Sequence, residues 1–166
     1  MKEVTQVIET VVNGEAVQRE VPVRMHLTDF LRESLDLTGS HLGCEHGVCG
    51  ACQVMVDDEV VRGCLTLAVQ AHGKRVDTIE GLSEQGVLAQ LQAAFLQHNA
   101  LQCGFCSSGM LLSALELVRE RPRATREEIR EHISGNYCRC TGYQAIVDAI
   151  EAVLQGKFAS PQEAQA

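Results

Sequence analysis

The stretch Gly43-Cys44-Glu45-His46-Gly47-Val48-Cys49-Gly50-Ala51-Cys52, residues 43–52, spaces three cysteines as C-x4-C-x2-C. It has neither helical nor alternating periodicity, so it is a loop. Gly43, Gly47 and Gly50 stand where the backbone must bend or approach something closely. Upstream, residues 4–12 are β-branched and alternate imperfectly, which predicts a strand. Asn13-Gly14 is a strong hairpin signal, and residues 16–23 return as the second strand. Thr28 is expected to cap a short helix over 29–35 that turns Phe30, Leu31 and Leu35 toward the sheet. Downstream, residues 53–56 and 59–62 predict two strands around an Asp57-Asp58 turn, and 74–79 another. Short strands with one helix suggest a small mixed sheet crossed by a helix.

Cys64 follows Cys52 after eleven intervening residues. With Cys44, Cys49 and Cys52 it completes the spacing used by plant-type 2Fe–2S ferredoxins. Three thiolates from one tight loop can wrap a small cluster, and a fourth from a separate element locks the loop to the sheet. Backbone N–H groups of such a loop can point at the sulfurs and stabilise the more negative, reduced cluster. A four-cysteine zinc site is the alternative, but zinc sites more often use paired knuckles. His46 lies in the loop; a Rieske-type role would need two histidines replacing two cysteines. It reads better as a loop or interface residue.

The second half changes period. Val87, Leu88, Leu91 and Phe95 mark one face of a helix over about 86–98. Residues 110–118 are apolar nearly all round, as for a helix buried among others. Thr125-x-x-Glu128 is a capping box opening a third helix, which Gly135 can close. Thr141-x-x-Gln144 is a second capping-box match, leading into Ile146, Ala149, Ile150, Val153 and Leu154, with Gly156 ending that helix. The boundary between a β-rich and a helical half falls near 80–86. The expected division is 1–80, 81–156 and a loose tail over 157–166. Cys103-x2-Cys106 and Cys138-x-Cys140 each precede a predicted helix. Helix N-termini offer unpaired N–H donors and positive dipole ends to an anionic centre. By spacing alone, zinc stays open for this second set.

The chain has 166 residues, 45% hydrophobic, which supports a packed core rather than disorder. A net charge of −8, with aromatics at 4%, argues against a phosphate-backbone partner. Eight cysteines would suggest four disulfides in a secreted protein, but their grouping favours metal ligation. No signal-peptide core, twin-arginine pair or membrane-length apolar run is apparent, so a cytoplasmic chain without membrane insertion is expected. Export on a partner's signal stays open.

GCEHGVCGAC at 43–52, GC at 63–64, QCGFCSSGM at 102–110 and GNYCRCTGY at 135–143 occur in this order. In this respect the chain resembles the small iron–sulfur subunit of molybdenum hydroxylases, the xanthine dehydrogenase, aldehyde oxidoreductase and carbon monoxide dehydrogenase family. The resemblance spans about residues 4–156. It implies an α+β chain, with an N-terminal β-grasp ferredoxin-like domain followed by a four-helix 2Fe–2S-binding domain. It implies two 2Fe–2S clusters and two partners: a large subunit holding molybdopterin and a medium subunit holding FAD, assembled as a heterotrimer or dimer of heterotrimers. Gln102 and Cys140 would approach the pterin, Cys140 serving also as a cluster ligand. Arg139 could offset cluster charge, pair across an interface or form a surface salt bridge. Ser107-Ser108 departs from the family's usual Thr-Pro, and a serine hydroxyl is expected to cap that turn. Tyr137 replaces a commoner aliphatic residue.

Two one-electron clusters can divide the two electrons of a hydroxylation or dehydrogenation before they reach a flavin. No Ser/His/Asp set or phosphate-cradling glycine loop appears, so no substrate chemistry is assigned to this chain. The electron-transfer subunit is the expected role. A free-standing two-cluster ferredoxin shuttle and a zinc-stapled adaptor are the alternatives.

Overall fold

The computed structural model describes residues 3–83 and 86–158. Of the tail expected over 157–166, positions 159–166 lie outside them. Strand β1 (Thr5–Val12) turns through Asn13-Gly14 into β2 (Glu15–Pro22). Both turn residues have positive φ, +50° and +84°, the twist that joins two antiparallel strands directly. A second hairpin joins β3 (Gln53–Val56) to β4 (Glu59–Arg62) through Asp57 and Asp58, again at positive φ. Strand β5 (Arg75–Asp77) lies between the hairpins, parallel to β1 and antiparallel to β3. The sheet order is β2-β1-β5-β3-β4.

Ile8 and Val12 of β1, Val21 of β2, Val54 and Val56 of β3 and Val76 of β5 pack with Leu27, Phe30 and Leu31 in one core. Those last three come from α1 (Leu27–Asp29), which continues as a π-helical turn over Phe30–Ser34. The cap is not Thr28. His26 Nδ1 accepts the Asp29 N–H at 3.2 Å, and Thr28 is buried inside the helix with its hydroxyl unpartnered. Burial of the neighbouring Leu27 draws the helix start upstream of the expected position.

Strand β3 is buried on both faces. Because strand side chains alternate, Val54 and Val56 serve the first core while Met55 joins a second. That second core is helical. It comprises α3 (Gly86–Gln97), α4 (Ser107–Glu120), α5 (Arg126–Ile133) and α6 (Gln144–Leu154), reached through a single turn, α2 (Ile79–Leu82). Leu88, Leu91 and Phe95 of α3 are buried, as the period required. In α4 every residue from Ser108 to Leu115 is buried, because α3, α5, α6 and strands β3 and β4 all pack against it.

Three expected caps take other forms. The Thr125–Glu128 box is present, but α5 ends through Ser134; Gly135 has no left-handed φ and gives its carbonyl to Arg62 Nη2 at 2.8 Å. Thr141 and Gln144 form no box: Tyr143, at φ +68°, occupies the N-cap of α6, and Gln144 donates to Asp148. Neither serine caps α4, whose N-cap is Cys106 without a side-chain bond; Ser108 Oγ is buried and unpartnered. The buried face of α4 holds that helix without the cap. Gly156, at φ +71°, does follow the end of α6.

The halves meet through small residues. A Cβ on Gly109 of α4 would lie 2.1 Å from the Gly50 carbonyl oxygen, so only glycine permits this approach of helix to loop. Around it Ser113 Oγ lies 3.0 Å from the Gln53 carboxamide and 2.9 Å from that of Asn136, all three buried. With its nitrogen turned inward, Gln53 donates to the Gly109 carbonyl at 2.7 Å. Gly109→Ala is expected to destabilise the chain by about 2 kcal/mol, because the obstructing atom is backbone and cannot rotate away. Thermal denaturation should register a fall of roughly 4–8 °C.

Candidate functional site

All eight cysteines are free, and the fold brings Cys44, Cys49, Cys52 and Cys64 together, and Cys103, Cys106, Cys138 and Cys140 together. The loop over 43–52 curls because Glu45, Gly47 and Gly50 all take positive φ. The curl turns the Val48 and Cys49 N–H groups onto Cys44 Sγ, at 3.3 and 3.4 Å. A Cβ on Gly43 would sit 3.1 Å from Cys49 Sγ, so that glycine leaves the sulfur its room. Cys64 arrives from the end of β4, where the Gly63 N–H donates to the Cys52 carbonyl at 3.1 Å. Cys52 and Cys64 are buried, whereas Cys44 and Cys49 are part-exposed.

The second group is assembled from the two ends of the helical half. Cys103 and Cys106 precede α4, and Cys138 and Cys140 precede α6. Cys140 Sγ lies 3.6 Å from Cys103 Sγ, and both are exposed. Cys106 and Cys138 form the inner pair. Within the first group Cys44 interacts with Cys49, and Cys52 with Cys64. Each group thus resolves into two thiol pairs, the donor set that a cluster of two irons requires. Among the described residues no three or more His, Cys, Asp or Glu side chains gather as for a single metal ion.

The electrostatics of the thiols are uneven. N–H groups, that of Cys49 foremost and then those of His46 and Val48, pull the Cys44 thiol down to about 6. Burial, then the neighbouring Cys52, pushes Cys64 up to about 11. Burial likewise pushes Cys106 up to about 12. At Cys138 burial opposes ionisation, but the Thr141 hydroxyl and the N–H groups of Thr141 and Cys140 outweigh it and hold the thiol below its ordinary value. The Cys103 thiol raises Cys140.

Several contacts join the segments that carry the groups. The Tyr137 N–H, one residue before Cys138, donates to the Cys49 carbonyl at 2.9 Å. Phe105, between Cys103 and Cys106, stacks on His41 at 4.8 Å between ring centroids, and its carbonyl lies 2.9 Å from His41 Nδ1. Arg62 spans the same seam through Gly135 and makes no ion pair among the described residues. Spacing indicated none of these contacts; Ser113, polar within the apolar run over 110–118, was their only trace. Gln102 Nε2 donates to the Cys140 carbonyl at 3.1 Å, so those two site residues are brought together. His46 stays in its own loop, its Nδ1 donating to the Cys44 carbonyl. Arg139 is exposed and forms no salt bridge among the described residues.

In the metal-free chain, Cys44 should be alkylated by iodoacetamide at pH 7 roughly tenfold faster or more than Cys64 or Cys106. As pH falls through about 6, the proton returns to sulfur and the advantage disappears. Cys64 and Cys106 should stay silent until far more alkaline pH. Site-resolved mass spectrometry checks the order, and uniform labelling would contradict it.

Residues 10–83 match the model of the 2Fe-2S iron-sulfur cluster binding domain, and residues 78–151 match that of the [2Fe-2S] binding domain. The chain is 53% identical over 143 residues to the nicotine 6-hydroxylase small subunit of Paenarthrobacter nicotinovorans, covering 86% of each. It is 51% identical over 152 residues to the caffeine dehydrogenase subunit gamma of Pseudomonas sp. (strain CBB1), covering 90% of this chain and 91% of the relative. Among solved structures, a chain of quinoline 2-oxidoreductase from Pseudomonas putida 86 superimposes with a TM-score of 0.84 at 49% identity, over 92% of this chain and 98% of that one. With two four-thiol groups, both domain matches and relatives of this identity over nearly their full length, the chain belongs to the small iron–sulfur subunits of the molybdenum hydroxylase family.

Proposed function

We propose that this chain is the electron-transfer subunit of a molybdopterin-dependent hydroxylase or dehydrogenase, relaying electrons from the molybdenum site to FAD through two 2Fe–2S clusters. The observation that carries this reading is the joining of two paired four-thiol groups by the Tyr137–Cys49 hydrogen bond. Each cluster supplies a one-electron site, so the pair can divide the two electrons released by one substrate oxidation. In this reading Cys44 and Cys49 share one iron and Cys52 and Cys64 the other. In the second cluster the pairs are Cys103 with Cys140, and Cys106 with Cys138.

The rest of the chain positions these thiols. Residues 1–80 act as a β-grasp ferredoxin-like domain and 81–156 as a four-helix domain. The exposed pair, Cys103 and Cys140, with Gln102 beside it, suits the face turned to the pterin of the large subunit. Exposed Val48 and Leu65 beside the first loop suit a face for a medium, FAD-binding subunit. A cytoplasmic heterotrimer, or a dimer of heterotrimers, is the corresponding assembly; among the described residues no helix is long and apolar enough to cross a membrane. The relatives' names mention nicotine, caffeine and quinoline, three different ring systems. That range suits a subunit that carries electrons and leaves substrate choice to its partner.

Anaerobic purification with co-purifying partners should yield about four irons per chain with matching sulfide, and two distinct reduced EPR signals. A colourless protein containing zinc would overturn the proposal. A stable monomer with no molybdenum or flavin partner would support the free-standing shuttle instead. Cys49→Ser should remove one EPR signal and slow flavin reduction while substrate still reduces molybdenum. Cys106→Ser should remove the other signal and interrupt transfer earlier. Full turnover of either variant with a flavin-side acceptor would show the order to be wrong.

A further inference from the structure

Between Cys140 and α6, Thr141 is engaged from two sides. Its Oγ accepts the Tyr143 N–H at 3.2 Å and lies 3.1 Å from Cys138 Sγ. An oxygen already accepting an N–H has its single hydrogen free to donate, and the sulfur is its partner. Cys138 is held at the other end as well, its N–H donating to the Tyr143 phenolic oxygen at 2.9 Å. Both contacts depend on Tyr143, whose φ of +68° is unusual for a bulky residue and folds the turn back over Cys138. Among the described residues no other side-chain hydroxyl donates to a cysteine sulfur; the sulfur contacts of Cys44 come from backbone N–H groups.

We propose that Thr141 is a positioning residue that sets the reduction potential of the second cluster by donating a hydrogen bond to the Cys138 thiolate. Reduction adds one electron, and the hydroxyl hydrogen remains on Thr141 throughout. An O–H aimed at a thiolate stabilises the more negative state more than the oxidised one, so the contact raises the potential. Cys138 belongs to the inner thiol pair, and Tyr137 next to it carries the N–H that meets Cys49. Thr141 therefore acts at the thiol pair beside the Tyr137–Cys49 contact rather than at the exposed pair. The inference rests on the reading of Cys138 as a cluster ligand.

The test is an EPR-monitored redox titration of the holo-complex carrying Thr141→Val or Thr141→Ser. The valine variant should make reduction of the second cluster roughly tenfold less favourable, about 59 mV more negative for one electron. The first cluster should not move, and the serine variant should match the unaltered complex. A role confined to holding Tyr143 would change thermal stability without moving the potential. Valine at the unaltered potential, or serine shifted as far as valine, overturns the proposal. If valine hinders cluster uptake, Thr141→Ala adds no bulk and should show the same shift; an unshifted alanine variant overturns it. Independently of any variant, the reduced second cluster of the unaltered complex should show, by electron–nuclear double resonance, a coupled proton that exchanges in D2O. Its absence overturns the proposal. An unaltered complex lacking the second EPR signal altogether would instead overturn the electron-transfer reading.

Discussion

The approach of Gly109 to the Gly50 carbonyl holds the rest of the molecule in place. One glycine lies in a cysteine loop and the other in the first turn of the most buried helix. A single Cβ at position 109 would meet backbone at 2.1 Å, so this contact sets how near the β-rich and helical halves can come. At that separation the N–H of Tyr137 reaches Cys49, and Phe105 reaches His41. The segments that carry the two thiol groups meet there because neither position 50 nor position 109 bears a side chain.

Close approach of backbone to backbone buries polar groups, and the seam is built to satisfy them. Gln53, Ser113 and Asn136 link to one another, to Gly109 and to Gly50. A buried amide left unpaired costs about 1–3 kcal/mol, so the network selects one docking of the two halves rather than a range of them. Arg62 adds a cation at the same seam without a carboxylate partner among the described residues. That placement suits a site whose thiolates and clusters are anionic in a chain already at −8.

Both hairpins, the buried face of α3 and the Thr125 capping box were legible in the sequence, because each rests on neighbours a few positions apart; the two cysteine groups were legible from the spacing and order of their motifs. The missed caps show where local reading stops. Thr28 resembles an N-cap, yet burial of Leu27 draws the helix start back to His26. Thr141-x-x-Gln144 has the letters of a capping box, but Thr141 spends its hydroxyl on Cys138, a residue whose closeness follows from the folded turn. Strand β3 could be read as a strand, but not that Met55 belongs to a different core from Val54 and Val56.

The sequence by itself determined which cysteines form each group, the positions of the turns, and the change from strand to helix near residue 80. These depend on spacing, backbone preference and period, which act along the chain. Tertiary structure decided how the thiols pair within each group, which pair of each group lies deeper, and where the segments carrying the two groups touch. Those outcomes depend on contacts across long separations in sequence: Cys103 with Cys140, Gly50 with Gly109 and Cys49 with Tyr137. No local preference encodes them. They follow from two cores sharing strand β3 as a common wall, and from the one separation at which the glycines and the polar seam between them fit.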